Sequence, residues 1–316
     1  MKTDLPAPLV FEPLFLERAW GGRRLASAFG KKLPPGKQIG ESWEIVDRSE
    51  AQSVVRQGRW RGQTLQELWR DHRAEVFGEG MPTVPRFPIF AKLLDAQEKL
   101  SIQVHPDAAT ASAFGGEPKT EMWYFAAVDD GAEIYAGLRR GVTRNQLERA
   151  VRQGGVADLV HRIKVKTGDA FFVPSGRIHA IGAGNLLIEI QQNSDTTFRL
   201  FDWGRGAGGG TPRPLHIDAA LRSMAFDDFE PGLIRPSGET LVQSAYFTVE
   251  KWELAGPRRV SERRAFALFV CLGGSVEVQG VRHEPGEVFL VPACAAASQL
   301  QPAADAASVL RITLPS

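Results

Sequence analysis

The amino-acid sequence predicts a mainly β protein, two related β units carrying a few surface helices. Three observations carry this expectation. The 32 glycines and 20 prolines are spread along the chain and cut it into short apolar runs, where a helical protein would show long stripes. Those runs have the length of strands. One of them also recurs: Gly168 to Ala180 reads GDAFFVPSGRIHA and Gly286 to Ser298 reads GEVFLVPACAAAS, with Gly, an acidic residue, an apolar run and Val-Pro in register.

In chain order, the expected strands are Phe87 to Leu94, Leu100 to Val104, Glu121 to Ala127, Ala132 to Gly137, Ala170 to Val173, Leu186 to Gln192 and Thr197 to Trp203. Three segments read as helices. Thr64 to Phe77 places Leu65, Leu68, Trp69 and Val76 near one face. Thr143 to Gln153 opens with a Thr143/Gln146 capping box ahead of Leu147 and Val151. The third runs from about Asp218 to Met224. All three are expected to pack outside a β core. Gly204 to Pro214, GRGAGGGTPRP, reads as a loop; it lacks the spacing and the Lys-Ser/Thr pair of a phosphate-binding P-loop. A further break at Pro231 to Gly238 divides the chain into residues 1–232 and 233–316, the second unit strand-like up to Leu314.

The 316 residues suit two domains, and the 38 Lys and Arg nearly cancel the 37 Asp and Glu. No net field exists to hold the chain on nucleic acid or an anionic membrane, so an anionic ligand must be met by local charges. The longest strong apolar run, Ala265 to Leu272, is one strand long and far short of a membrane span. Two prolines and an acidic residue precede the first apolar stretch, unlike a signal peptide. Two cysteines, Cys271 and Cys294, are too few for a disulfide framework, and both lie in apolar runs that read as buried strands. A cytoplasmic location is the expectation.

Within the first copy of the echo, Gly168, Pro174, Gly176 and His179 satisfy a pattern of Gly, five residues, Pro, one residue, Gly, two residues, His. This resembles the second signature motif of the cupins, which implies two jelly-roll units. The Asn that the motif expects comes slightly late, at Asn185. In the second copy the motif Gly becomes Cys294 and the His becomes Ala297, which has no lone pair for a metal, so a metal site is expected in the N-terminal unit only.

Ligand chemistry points to the same unit. In LSIQVHP, Gln103 and His105 are two residues apart and share a strand face. Glu121 opens the strand in KTEMWYF, and His179 ends the cupin-like motif. Two imidazoles, a carboxylate and an amide oxygen suit a borderline divalent ion; Zn²⁺ leads, with iron, cobalt and manganese as alternatives. His72, His161, His216 and His283 carry no such context.

Seven landmarks in order then make the chain similar to the type I mannose-6-phosphate isomerases in their short bacterial form: AWGG from Ala19, GESWEI from Gly40, KLLDA from Lys92, LSIQVHPD from Leu100, KTEMWY from Lys119, PSGRIHAI from Pro174 and QQNSDTTFRLFDWGR from Gln191. The resemblance implies one zinc on Gln103, His105, Glu121 and His179. It places the family's active-site arginine on Arg199, its active-site lysine on Lys119 and a further carboxylate on Glu189. It implies a sugar-phosphate substrate and a monomer or weak homodimer, without the long members' helical insertion.

The implied reaction interconverts mannose 6-phosphate and fructose 6-phosphate through a cis-enediol. One carboxylate would leave Zn²⁺ a formal charge of about +1, able to stabilise the enediolate or only to order the pocket. Lys119 and Glu189 both stand as proton shuttles, Lys119 with a pKa falling towards neutrality beside a metal and an arginine. Glu189 shares a strand face with Leu187 and Gln191, and a salt bridge to Arg199 is its alternative role. Arg199 would meet the phosphate or a developing oxyanion. Lys92, Ser101, Glu41 and Trp43 are expected to contact substrate, Trp43 with its ring against the sugar, while Trp20 and Trp123 read as core. A sugar-binding cupin without catalysis and an isomerase of another sugar are the competing readings.

Overall fold

All seven expected strands form in the computed structural model, with ends displaced by no more than two residues. The structure describes residues 6–205, 213–261 and 264–315, so the glycine-rich stretch read as a loop lies, over 206–212, outside the described residues. In the N-terminal unit, six antiparallel strands run in the order Ala170–Val173, Glu121–Val128, Asn185–Gln192, Ile89–Ala96, Ile39–Ile45 and Leu14–Gly22. A second sheet orders Val160–Lys164, Glu133–Leu138, His179–Ile181, Ile102–Val104 and Phe198–Phe201.

Strand alternation explains how these sheets stack. From Asn185–Gln192, Leu187 packs with Leu94, Trp123 and Phe125 against Ile134, Ala136 and Ile181 of the five-stranded sheet, so the two sheets face each other. The alternate residues Leu186, Ile188 and Ile190 point the other way, into a core shared with Leu268, Val270 and Leu310 and with Leu65, Leu68 and Trp69. Because both faces of this strand are buried, it reads as the near-continuous apolar run LLIEI, broken only by Glu189.

The strands after residue 240 repeat the two-sheet plan. Six strands, including Val288–Val291, Ala267–Gly273, Ala307–Thr313 and Thr248–Leu254, face a four-stranded sheet across a core of Trp252, Phe269, Phe289 and Val309. Leu9–Val10, from the start of the chain, joins the edge of the larger sheet by pairing with Leu290 and Phe289. The echo holds at its first half: Gly168 and Gly286 take φ of 90° and 84°, each turning into a buried strand. It fails after the proline. Gly176 keeps φ 88°, whereas its counterpart Cys294 sits in a 3₁₀ turn, Ala293–Ala295, and is exposed where a buried strand was expected.

The helices lie outside the sheets, as their single apolar faces require. Arg144–Gln153 carries the Thr143/Gln146 capping box and Ile217–Ser223 takes the place read for the third helix. The segment from Thr64 is capped by Thr64 and Glu67, but it breaks at His72 into Leu65–Asp71 and Arg73–Val76. Short helices at Arg24–Phe29, Ala108–Ala113 and Val156–Leu159 lacked a sequence signal long enough to show periodicity.

Among the strands that escaped the sequence reading, with Val160–Lys164 and His179–Ile181, are Leu14–Gly22 and Ile39–Ile45, which hold the AWGG and GESWEI landmarks. A Cβ on Gly21 would fall on the backbone of Gly40 and Ile39, and one on Gly40 would strike Arg18 and Trp20. The pair of glycines therefore lets these strands approach closely enough to bring Arg18 onto Glu41 at 2.6 Å. Gly21→Ala is expected to lower stability by about 1–3 kcal/mol through forced separation of the strands. A drop in thermal midpoint of several degrees checks this, and an unchanged melt would contradict it.

Candidate metal centre and active site

Three of the expected ligands converge between the facing sheets. His179 and Gln103 are cross-strand partners in the smaller sheet, and Glu121 begins a strand of the larger one. His105 follows directly after Ile102–Val104. The ligand atoms of His105, Glu121 and His179 all lie within 4.8 Å of one another. His105 Nε2 stands 3.3 Å from Glu121 Oε2, and His179 Nε2 stands 3.5 Å from Glu121 Oε1. Among the described residues, this is the one group of His, Cys, Asp and Glu side chains so arranged.

Backbone carbonyls orient both rings. His105 Nδ1 meets the Thr196 carbonyl and His179 Nδ1 the Arg177 carbonyl, each at 2.9 Å. With Nδ1–H donating to a carbonyl, each Nε2 presents its lone pair to the centre, the arrangement that metal-bound histidines use. His105 Nε2 is fully buried and makes no aligned hydrogen bond, and Glu121 Oε2 beside it is met by the Lys119 ammonium alone. A buried lone pair without a donor is costly, and a divalent cation is the group that would satisfy His105 Nε2 while sharing the carboxylate. Gln103 also reaches the centre, its amide nitrogen 3.3 Å from His179 Nε2 while its oxygen accepts from Ser101. A half-turn of the amide exchanges these two atoms at no steric cost, since they are nearly equal in shape.

The charges around this centre are buried and paired. Burial, reinforced by the neighbouring imidazole of His105, pushes His179 down to about 3, and burial with the Lys119 charge likewise lowers His105. Both rings are therefore neutral at pH 7. Burial opposes ionisation of Glu121, but Lys119 at 2.7 Å and the imidazoles hold it well below the ordinary carboxylate range. For Lys119 burial acts downward, yet Glu121 and Glu189 outweigh it and hold the ammonium above its usual value. Carboxylates, and not the expected arginine, are thus the charged neighbours of Lys119. Glu189 is raised by burial and by the charge of Glu121.

Beside the centre lies a cavity of about 340 Å³. Gln103, His179, Lys119, Glu189, Lys92, Ser101, Glu41 and Arg199 all line it, while His105 and Glu121 are buried more deeply. Lys92 is 4% exposed, so it is no solvated strand-end lysine; it stands 3.7 Å from Glu41, 3.7 Å from Glu189 and 3.5 Å from Asp195. Burial acts to raise Glu41, but Lys92 and Arg18 bring it down to about 2. Glu189 accepts from the Trp123 indole at 3.0 Å and faces Lys119 at 3.8 Å. Its alternative role as the partner of Arg199 fails: Arg199 donates to Ser101 Oγ at 3.3 Å and to the Pro214 carbonyl at 3.0 Å.

The tryptophans exchange the parts expected of them. Trp43 is absent from the cavity wall; its indole donates to Glu41 Oε2 at 2.7 Å and its ring packs edge-on against Phe90. Trp20 and Trp123, read as core, both line the cavity as well as joining the inner cluster. Arg18, Asp195, Thr197 and Arg213 are lining residues that sequence reasoning missed. Arg213 ends the glycine-rich stretch and is held by Asp202 through bonds of 2.9 and 2.5 Å, so the only signal was a basic residue beside a glycine run.

Comparison with known proteins agrees along the chain. The family described as phosphomannose isomerase type I, catalytic domain, matches residues 9–137, and the mannose-6-phosphate isomerase cupin domain matches residues 237–309. Mannose-6-phosphate isomerase ManA of Bacillus subtilis is 39% identical over 84% of this chain and 86% of its own. The probable mannose-6-phosphate isomerase GmuF of the same organism is 38% identical over 90% of this chain and 93% of its own. The crystal structure of the mannose 6-phosphate isomerase from Bacillus subtilis superimposes with a TM-score of 0.87 at 34% identity, covering 98% of this chain and all of that one. Fold, buried His-Glu-His centre and sequence similarity together place the chain in the family of type I phosphomannose isomerases.

Proposed function

We propose that the chain interconverts mannose 6-phosphate and fructose 6-phosphate, with one Zn²⁺ held by Gln103, His105, Glu121 and His179. The observation that carries this reading is the juxtaposition of a buried His-Glu-His centre with a cavity lined by both carboxylates and cations. When bound, the ion would supply Lewis acidity for the charge that develops on the C1 and C2 oxygens.

The protein's own groups divide the remaining work. Glu189 serves as the base that carries the proton between C1 and C2, because burial raises its carboxylate above the ordinary range and so makes it a stronger base. Lys119 stays an ammonium and offers a hydrogen bond and positive charge to the sugar oxygens. Lys92 and the ionised Glu41 bond the sugar hydroxyls, and Trp43 keeps Glu41 oriented. The indoles of Trp20 and Trp123 present flat apolar surface to the sugar carbons.

Arg199 and Arg213 line the same cavity and form the pole for the phosphate. Arg199→Ala is expected to cut kcat/KM for mannose 6-phosphate by roughly 10- to 100-fold, the value of a lost charge-assisted contact. Turnover of unphosphorylated mannose should change little. A coupled isomerase assay on both sugars tests the substrate and the role together. Equal losses on the two would assign Arg199 to the reacting oxygens, and no conversion of mannose 6-phosphate by the unaltered chain would end the isomerase reading.

A further inference from the structure

A second cavity, about 480 Å³, lies beside the strands Glu133–Leu138 and Val160–Lys164, away from the metal centre. The two cavities share only the turn at Lys99 to Ser101: Lys99 lines this one, while Leu100 and Ser101 line the other. Lys99, Arg139 and Arg162 reach its wall from three separate segments and surround two aromatic rings, Tyr135 and Trp203.

The rings are fixed before any ligand arrives. Their centroids are 5.2 Å apart in an edge-on contact, and the Trp203 indole donates to the Leu100 carbonyl at 2.6 Å. Trp203 holds φ at 56°, a conformation that a bulky residue adopts at a cost and that tends to be retained where a side chain must point one way. The Lys99 ammonium stands 4.6 Å from the Trp203 ring centre and 5.6 Å from that of Tyr135, so the aromatic faces hold the cation in place.

The charges here are not balanced as they are in the metal cavity. Glu133 neutralises Arg162 and also accepts from the Tyr135 hydroxyl. Arg139 meets only the backbone carbonyl of Asp158, at 3.1 Å, and Lys99 rests on ring faces, near enough to Glu133 to help lower its pKa but outside ion-pair distance. Among the described residues, neither has a carboxylate at ion-pair distance, although the Asp158 carboxyl also borders the cavity. Two cations on one concave wall, one of them held by aromatic rings, leave room and charge for an anion of small-metabolite size.

We propose that this cavity is a second anion site that takes a phosphate monoester, its phosphate between Lys99 and Arg139 and its organic part against Trp203. The intact chain is titrated with inorganic phosphate, glycerol phosphate and adenosine monophosphate, with binding followed by calorimetry and tryptophan emission. The same titrations are run on Arg199→Ala and on the double variant Lys99→Met/Arg139→Met, whose fold is checked by its melt and its isomerase turnover. One binding event is expected to survive in Arg199→Ala and to weaken roughly tenfold to a hundredfold in the double variant. Tighter binding of adenosine monophosphate than of inorganic phosphate would assign a nucleotide that stacks on Trp203; similar binding of all three would assign the phosphate group alone. If the double variant titrates like the unaltered chain, or Arg199→Ala abolishes all binding, the site does not exist.

Discussion

Glu121→Gln is expected to lose the bound metal and to lower isomerase turnover by about 10³-fold or more, because a neutral amide of the same size removes the one anionic ligand of the centre. The magnitude follows from the several kcal/mol that a metal cation contributes to a developing oxyanion, at about 1.4 kcal/mol per factor of ten. Glu121 also answers the Lys119 ammonium at 2.7 Å in a place only 1% exposed. Its loss therefore leaves a buried charge without its nearest partner, which is strongly destabilising in its own right. His179→Gln separates the two effects. It removes a neutral ligand and leaves the Lys119–Glu121 pair intact, so the variant should remain folded by circular dichroism, bind metal weakly and show the same large loss of turnover. Retention of stoichiometric metal with normal turnover in either variant would contradict the assignment of the centre.

Glu189→Gln is expected to lower kcat by about 10²- to 10⁴-fold with little change in KM, the range found when a general base is removed. The amide keeps the size of the side chain and can still accept the Trp123 indole N–H, 3.0 Å away in the parent protein. The pH profile gives an independent check. A base must be deprotonated to act, and burial, the largest cause of the Glu189 shift, is present whether or not an ion is bound. Activity should therefore fall on the acid side at a pH above the ordinary carboxylate range, and this limb should vanish from the residual activity of Glu189→Gln. An unaltered kcat with the acid limb intact would move the role to Lys119.

Much of the centre was legible because its chemistry is local in the sequence. Gln103 and His105 are spaced for one strand face, His179 sits in a motif whose Gly176 needs positive φ, and Glu189 is the single charge in an apolar run. An isolated charge in a strand buried on both faces has few explanations other than a site. The expected strands were legible for the same reason, since two buried faces force continuous apolar runs.

What escaped was set by contacts between distant segments. Ile39–Ile45 is buried throughout yet contains Glu41 and Glu44, whose burial is offset by Arg18, Lys92 and Lys31 from elsewhere in the chain, and Ser42, which donates to Glu44. No periodicity can announce a strand whose polar residues are satisfied by long-range ion pairs. Trp43 reads as a sugar contact because it and Glu41 are odd residues for a plain core strand, but its indole turns to Glu41, and Trp20 and Trp123 line the wall instead. Arg213 reaches the cavity only because Asp202 holds it there.

The most direct test is elemental analysis of the chain purified without added metal, coupled to the isomerase assay before and after chelation. One equivalent of zinc per chain, loss of mannose 6-phosphate turnover on chelation and its return with Zn²⁺ is the predicted result. Full turnover by metal-free protein would contradict it.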